Sequence, residues 1–170
     1  RRLVDNLNLS SKLEFGAGKF EKKKVRISRF LRMILTEIMN QTEDVRYQFT
    51  IEIDDRLQEL ELCFNEDLME RAVMNLLHNA IRHNPDGCRI EMRLYQDQKN
   101  HVFLEIGDNG KGVSKEFLSR LNSSSYEWES SIGQNGLGLK IVKQVADWHH
   151  WKIFFSKGEQ SGLVCTMRLR

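Results

Sequence analysis

The chain has 170 residues, enough for one domain with a sizeable hydrophobic core and a short additional segment. Hydrophobic residues make up 40% and charged residues 29%, which excludes a disordered or fibrous protein, and the net charge of only +2 gives no case for nucleic-acid binding. No apolar stretch approaches the roughly 20 residues that cross a bilayer, and no signal-peptide pattern is present.

Three cysteines, Cys63, Cys88 and Cys165, are spread widely over the sequence. Their odd number and spacing argue against a disulfide framework or a zinc site, so we expect reduced thiols in a cytoplasmic protein. Cys63 and Cys165 lie in apolar runs, which predicts that both fill the core. Because the chain begins with arginine and not methionine, we interpret it as a soluble fragment of a longer protein.

The first 15 residues contain no proline or glycine and are compatible with a helix. Apolar residues lie on both sides of the helical projection, Leu3, Val4, Leu7 and Phe15 on one and Leu9 and Leu13 on the other. A helix that is apolar on two sides should contact more than one neighbour. Gly16 and Gly18 then break the pattern, so we predict the end of a separate helical element followed by a hinge.

Short apolar alternations further along the chain predict a series of strands. They cover residues 25–27, 47–53, 60–64, 90–94, 102–106, 153–155 and 163–169. Polar links at residues 96–100 and 158–162 join the last four of these strands into two hairpins.

Helical spacing predicts helices between these strands. Ser28 is the predicted N-cap of a helix that continues to Gln41. Asn65 is the predicted N-cap of a second helix, which ends near His83 because Pro85 bars its continuation.

Two further helices complete the pattern. A short one begins at Ser114, polar residues 122–131 follow, and an amphipathic helix then ends at His149 and His150, which we expect to be exposed near the helix C-terminus. Strands gathered around three helices predict an α+β fold, a two-layer sandwich. One layer is a mixed, mostly antiparallel sheet, and about three helices cover one of its faces.

The helix that begins at Asn65 carries two asparagines four residues apart, Asn75 and Asn79. They lie about 40° from each other at the edge of an apolar stripe, where an amide needs hydrogen-bond partners. Backbone hydrogen bonds in the core would satisfy an isolated pair. An amide oxygen is alternatively a neutral ligand suited to a Mg²⁺ ion that takes its charge from phosphates.

Two glycine-containing segments could border a ligand. Asp108 directly follows a strand, and Gly110 and Gly112 would let the backbone approach a flat ligand whose exocyclic amine, such as that of adenine, donates to the carboxylate. The segment GQNGLGL at residues 133–139 begins a helix, where free N–H groups favour an anion. Each signal alone is weak, because Asp-Asn-Gly turns and glycine runs are common.

Taken in order, three segments are far more specific than any one of them. NLLHNAIRHNP (residues 75–85), DNGKGV (108–113) and GQNGLGL (133–139) resemble the asparagine box and the two glycine boxes of the GHKL ATPase superfamily, and within it the sensor histidine kinases. The resemblance covers residues 22–170. The opening segment also resembles the tail of the dimerisation helix, which implies a boundary between residues 1–18 and an ATP-binding catalytic domain at residues 19–170.

The resemblance implies a site for ATP and Mg²⁺. Asn79 takes the place of the asparagine that holds Mg²⁺ against the phosphates, with Asn75 supporting it. Arg82 falls where a basic residue faces phosphate, His83 where an aromatic ring lines the nucleotide, and Asp108 where an aspartate recognises the adenine amine. The remaining implied nucleotide contacts are Gly110, Gly112, Gly133, Gly136, Leu137, Gly138 and Leu139.

The sequence departs from the family pattern between Val113 and Gly133, where the ATP lid is short and the usual phenylalanine-rich box is not recognisable. Phe117, Tyr126 and Trp128 are candidates to replace it. No histidine of the chain has a phosphoacceptor context.

One position separates the classes of the superfamily by their chemistry. Members that hydrolyse ATP carry a glutamate base one turn before the magnesium asparagine, and Asn75 at that position cannot accept a proton. The resemblance therefore implies transfer of the γ-phosphoryl group to a histidine on dimerisation helices outside this chain. It also implies a homodimeric, membrane-anchored sensor with a cytoplasmic catalytic domain and a response regulator as its partner.

Two alternatives remain open. A degenerate module would bind nucleotide or a partner without phosphotransfer, as the short lid suggests. A serine kinase of the anti-sigma type would lack the N-terminal helix and usually keep the glutamate.

Overall fold

The structure is a computed structural model that describes residues 2–16, 18–123 and 136–170. In chain order the elements are α1 (Arg2–Glu14), β1 (Lys23–Arg26), α2 (Ile27–Gln41), β2 (Tyr47–Ile53), β3 (Glu61–Phe64), α3 (Glu66–His83), β4 (Cys88–Gln96), β5 (Val102–Asp108), α4 (Lys115–Asn122), α5 (Gly136–His149), β6 (Lys152–Lys157) and β7 (Leu163–Arg168). A short 3₁₀ turn, Asp55–Leu57, lies between β2 and β3.

The larger sheet has five strands in the order β2-β4-β5-β7-β6. Strand β2 is parallel to β4, and every other neighbouring pair is antiparallel. The mixed, mostly antiparallel sheet expected from the sequence is thereby confirmed. Strands β1 and β3 form a separate antiparallel ribbon and do not join this sheet.

Helices cover one face of the five-stranded sheet. The inward positions of β4 and β5 are buried apolar residues, Ile90, Met92, Leu94, Val102, Leu104 and Ile106. Helices α2, α3 and α5 contribute buried apolar side chains to the same core. On the other face, Arg93 is exposed and pairs with Glu105 at 3.3 Å and Glu52 at 3.5 Å. This arrangement is the two-layer sandwich that the sequence predicts.

Helix α2 begins at Ile27, so the predictions that Ile27 belongs to a strand and that Ser28 caps the helix were wrong. Arg26 occupies the N-cap position without a side-chain capping hydrogen bond. Instead, the Ile27 N–H donates to the carbonyl of Leu60 at 3.2 Å, and Ser28 Oγ donates to the carbonyl of Gln58 at 2.6 Å. The turn before β3 therefore satisfies the first turn of α2, which no local sequence pattern reveals.

The prediction that Cys63 fills the core was also wrong. Leu62 and Phe64 on β3 are buried, whereas Glu61 and Cys63 are exposed. The β1–β3 ribbon packs on the core through one face, so the two-residue period of the strand places this thiol outward. Cys165 on β7 is buried, as the sequence predicts.

His149 is 5% exposed, which contradicts the expectation of a surface residue. Its Nε2 accepts a hydrogen bond from the Asn65 N–H at 3.0 Å, and its Nδ1 lies 2.8 Å from the carbonyl of Val145. The ring stacks on Trp151 with centroids 4.0 Å apart. Burial lowers the pKa of His149 to about 4, so the ring is neutral at physiological pH. His150 is exposed, as expected.

Helix α1 packs through one side, mainly against α5, and on that side Asn6 also contacts Asn75 of α3. The buried or half-buried residues of α1 are Asn6, Leu9, Ser10 and Leu13. Val4 and Leu7 are exposed, as is Phe15 directly after the helix. Lys140 of α5 pairs with Glu14 at 3.6 Å. Gly16, with a φ of +62°, follows the helix end. A second neighbour for the exposed side, and the division into residues 1–18 and 19–170, stay predictions.

Among the helices of the described ranges, none has both the length and the apolar character that a bilayer span requires.

Candidate functional site

Helix α3 forms one wall of the site. Asn65 caps it as predicted, because its Oδ1 accepts a hydrogen bond from the Leu68 N–H at 2.9 Å. A buried stripe then fixes the helix on the core, through Leu68, Met69, Ala72, Val73, Leu76, Leu77 and Ala80. Asn79 and His83 lie beside this stripe and are partly exposed. Packing of the stripe therefore determines which polar side chains of α3 can face a ligand.

A cavity of about 350 Å³ opens beside the C-terminal half of α3, which is within the size range of small-molecule sites. Its polar lining residues are Asn79, His83, Asn84, Asp108, Lys111 and Ser114. The others are Gly112, Val113, Phe117, Leu139 and Leu163. One cavity, with a polar and an apolar side, is thus bordered by five parts of the fold: the end of α3, the loop after β5, α4, α5 and β7.

Asp108 is the last residue of β5, and one of its two carboxylate oxygens is held by the protein. Oδ1 accepts hydrogen bonds from the Gly110 N–H at 2.9 Å and from Asn84 Nδ2 at 3.1 Å. Within the described residues, no group donates to Oδ2. The carboxylate is therefore oriented by fixed donors and retains an oxygen that can accept a hydrogen bond from a ligand.

Glycines allow the backbone around Asp108 to pack closely. A Cβ atom on Gly110 would overlap the Asn84 amide, and one on Gly162 would overlap the carbonyl of Asp108. Gly112 and Gly162 have φ of +75° and +85°, which favours glycine. The glycines predicted at 110 and 112 thus have a structural reason, and Gly162 adds a third.

His83 lines the cavity from the last turn of α3 and is half-buried. Burial lowers the pKa of its imidazole, and the nearby positive charges of Arg82 and Lys111 lower that pKa further. A neutral ring at this position can pack on a flat ligand. Arg82 itself is exposed and is not among the lining residues that the structure describes.

Asn75 lies one turn before Asn79 but does not line the cavity. It is 8% exposed, and its Oδ1 accepts a hydrogen bond from Nδ2 of Asn6 on α1 at 3.5 Å. A Cβ atom on Gly138 would lie 3.6 Å from the same oxygen, so the first turn of α5 lies directly against α3. That distance is ordinary van der Waals contact, so packing against Asn75 does not by itself require glycine at position 138.

The glycine-rich segment is described only in part. Gly136 begins α5 and is buried, Leu137 is half-buried, and Leu139 is buried and lines the cavity. Gly133 lies outside the described residues, as do Tyr126, Trp128 and most of the polar stretch at residues 122–131. Phe117, the third candidate for the missing aromatic box, lines the cavity from α4. Ser114, where the sequence predicts this helix to begin, is its N-cap.

Several lining residues were not identified from the sequence: Asn84, Lys111, Val113, Ser114 and Leu163. Asn84 had a recognisable signal, since it stands at a helix end directly before a proline, where asparagine commonly caps or turns the chain. Leu163 had none. It reaches the cavity because β7 pairs with β5, a relationship that only the sheet order decides.

The family comparison is decisive. A family model described as "Histidine kinase-, DNA gyrase B-, and HSP90-like ATPase" matches residues 64–170, which include all the described residues that line the cavity. The chain belongs to this ATPase family.

Within this family, the chain is similar in sequence to sensor histidine kinases. Sensor histidine kinase YvrG of Bacillus subtilis (strain 168) is 29% identical over 169 residues, covering 98% of this chain and 29% of YvrG. Sensor protein QseC of Escherichia coli O157:H7 is 28% identical over 163 residues, covering 95% of this chain and 34% of QseC. The chain thus spans about a third of these longer proteins.

Solved structures of histidine kinases share the fold. The catalytic domain of histidine kinase ThkA superposes with a TM-score of 0.70 at 20% identity, covering 86% of this chain and 93% of ThkA. Acinetobacter baumannii histidine kinase AdeS superposes with a TM-score of 0.74 at 16% identity, covering 97% of this chain and 75% of AdeS. Together with the family match, these relatives confirm the resemblance to the ATP-binding catalytic domain of a histidine kinase.

Proposed function

We propose that this domain binds Mg-ATP in the cavity and donates the γ-phosphoryl group to a histidine of a longer protein. That histidine would lie on dimerisation helices, and α1 would be the end of one such helix. The observation that carries the proposal is that Asn79 and Asp108 line the same cavity, and that no group of the described residues donates to Oδ2 of Asp108. By the same proposal, the whole protein is a homodimeric, membrane-anchored sensor that acts in the cytoplasm and passes the phosphoryl group to a response regulator.

The apolar side of the cavity suits a purine base. Val113, Phe117, Leu139 and Leu163 offer surfaces against which a flat ring can be buried. Asp108 Oδ2 would accept a hydrogen bond from the exocyclic amine of adenine, and Gly112 lets the loop approach the base closely. His83, neutral because burial lowers its pKa, would pack beside the nucleotide without placing a second charge there.

The polar side suits a magnesium ion that arrives with phosphates. No group of three or more His, Cys, Asp and Glu residues in the described part of the chain could hold a metal by itself. A single neutral amide such as that of Asn79 instead suits Mg²⁺, which keeps several waters and takes its charge from the nucleotide. When bound, Mg²⁺ would neutralise the charge of the phosphates during phosphoryl transfer. We propose Asn79 as its protein ligand, Asn75 as its support from the preceding turn and Arg82 as a cation that faces the phosphates.

The residues present favour transfer over hydrolysis. Asp108 is the only acidic side chain among the described residues that line the cavity. Because it would bind the adenine base, it could not also act as a general base beside the phosphates. Asn75 cannot act as a general base. The γ-phosphoryl group would thus be transferred to the neutral imidazole of the acceptor histidine. The imidazole nitrogen would form the new N–P bond as the bond between phosphorus and the ADP oxygen breaks. The domain's own contribution is to bind and orient the nucleotide.

Two measurements test the proposal in sequence. Isothermal titration calorimetry of this chain should show ATP binding that depends on Mg²⁺. The full-length protein, incubated with ATP labelled at the γ-phosphate, should then acquire acid-labile, base-stable phosphate. Binding without labelling would support the degenerate-module alternative, and the absence of any ATP binding would refute the proposal.

A further inference from the structure

The side chain of Asn84 joins three parts of the cavity wall. Its Nδ2 donates to the carbonyl of Ala80 in α3 at 2.8 Å and to Oδ1 of Asp108 at 3.1 Å. Its Oδ1 accepts a hydrogen bond from the backbone N–H of Lys111 at 3.1 Å. With 7% of its surface exposed, Asn84 thus connects the end of α3, the end of β5 and the glycine loop through one nearly buried amide.

The orientation of this amide follows from its partners. Lys111 presents a backbone donor, so the atom opposite it must be the amide oxygen. The carbonyl of Ala80 and the carboxylate of Asp108 present acceptors, so the atom between them must be the NH₂ group. A flipped amide would set two acceptors against its oxygen and a donor against its nitrogen. The hydrogen-bond pattern therefore leaves one arrangement.

The main chain of Asn84 is itself anchored. The Tyr47 hydroxyl on β2 donates to its carbonyl at 2.9 Å, and the Gly87 N–H donates to the same oxygen at 2.9 Å. Because β2 belongs to the five-stranded sheet, the sheet as well as the loop determines the position of the amide. A Cβ atom on Gly110 would overlap this amide, so the loop is shaped to receive it.

We infer that Asn84 is a positioning residue for adenine recognition: it orients the Asp108 carboxylate so that Oδ2 can accept from the exocyclic amine of the base. The inference rests on the proposed function. A hydrogen bond from the amide to a carboxylate is charge-assisted, and here it fixes the orientation of the Asp108 side chain. Guanine presents a carbonyl oxygen where adenine presents its amine, so an ionised carboxylate at that place excludes guanine by repulsion.

A purely capping role for Asn84 predicts a different result. Loss of a helix cap lowers stability but leaves the preference of a folded site for adenine over guanine unchanged. Base preference therefore separates the two roles.

The first test replaces Asn84 by alanine and measures ADP and GDP binding calorimetrically in the presence of Mg²⁺. Loss of the charge-assisted bond should weaken ADP binding about tenfold while GDP binding stays the same, so the adenine preference falls about tenfold. Ser28→Ala is the matched control, because it removes a hydrogen bond to a backbone carbonyl, at 2.6 Å, and Ser28 is not among the described residues that line the cavity. Both constants should keep their wild-type values in that variant.

The second test uses Asn84→Asp, which is nearly isosteric. The introduced carboxylate still accepts from the Lys111 N–H but sets a second negative charge beside Asp108. Two adjacent carboxylates share a proton as the pH falls, which restores a donor to Asp108. The ratio of variant to wild-type ADP affinity should therefore rise about tenfold between pH 8 and pH 5. His83, Lys111 and Cys88 also lie near Asp108, and both proteins contain them, so the ratio compares two proteins that differ only at position 84.

Adenine binding and the role of Asn84 are overturned by different results. Wild-type chain that binds no adenine nucleotide would overturn the proposed function and this inference with it. Wild-type chain that prefers ADP, combined with an unchanged preference in Asn84→Ala or a pH-independent affinity ratio in Asn84→Asp, would overturn the role of Asn84 alone.

Discussion

The backbone N–H of Asn65 donates a hydrogen bond to Nε2 of His149 at 3.0 Å, across 84 positions of the sequence. Asn65 is the N-cap of α3 and His149 the last residue of α5, so this bond connects two of the helices that border the cavity. A backbone N–H can only donate, which places the imidazole proton on Nδ1, facing the carbonyl of Val145 at 2.8 Å. The contact requires the neutral ring.

This contact predicts acid sensitivity of the fold. Burial lowers the pKa of His149 to about 4 from its usual 6.5, with the charges of Lys22 and His150 adding to the effect. The neutral ring therefore contributes its full stability above pH 6.5, and this contribution is lost as the pH falls toward 4. Linkage sets an upper limit of about 3 kcal/mol on the loss.

Urea unfolding at several pH values checks this prediction. His149→Leu should remove most of the pH dependence between pH 6.5 and pH 4, whereas His150→Gln, at an exposed position, should retain it. Equal pH dependence in the wild type and in His149→Leu would contradict the assignment of this titration to His149.

Asn79→Ala should abolish the Mg²⁺-dependent part of ATP binding, because no other amide or acid of α3 lies in the described lining at this position. Loss of one ligand oxygen should weaken Mg-ATP binding at least tenfold, equivalent to about 1.4 kcal/mol. Calorimetry with and without EDTA measures the effect. Asn40→Ala, at an exposed position of α2, is the control. An unaltered response to Mg²⁺ in Asn79→Ala would remove the metal role from this residue.

Asp108→Asn should reduce the preference for ADP over GDP. The neutral amide keeps the shape of the carboxylate but presents a donor as well as an acceptor, so the repulsion of guanine is lost. A hydrogen bond to a charged group contributes about 1.5–3 kcal/mol, which corresponds to a preference reduced roughly 10- to 100-fold. Glu105→Gln on the opposite face of the same strand is the control, since its partner there is Arg93. Retention of the wild-type preference would refute adenine recognition by Asp108.

The isolated chain should hydrolyse ATP negligibly, because Asn75 stands where ATP-hydrolysing members carry a glutamate base. Release of inorganic phosphate, measured with saturating Mg-ATP, should stay far below about one turnover per second, a low but ordinary enzymatic rate. Turnover near that rate would instead indicate the hydrolytic class of the superfamily.

Much of the fold and part of the site follow from local sequence. Some features involve only residues within a few positions of each other, so their geometry depends on atoms that are close in the sequence. These are the alternation in β2, β4 and β5 and the helix caps Asn65 and Ser114. The resemblance to histidine kinases likewise depends only on the residues within the three boxes, and the family match over residues 64–170 agrees with it. Asn79, His83, Asp108, Gly112 and Leu139 accordingly line one cavity.

Only the tertiary structure decided the features that depend on partners far along the chain. His149 is buried and accepts a hydrogen bond from the Asn65 N–H, the carbonyls of residues 58 and 60 replace a cap for α2, and one-sided packing of the β1–β3 ribbon exposes Cys63. Asn84 acquires its role because α3, β5 and the glycine loop meet at its amide. A side chain's partners across the fold are set by how the elements pack, and local periodicity carries no information about that packing.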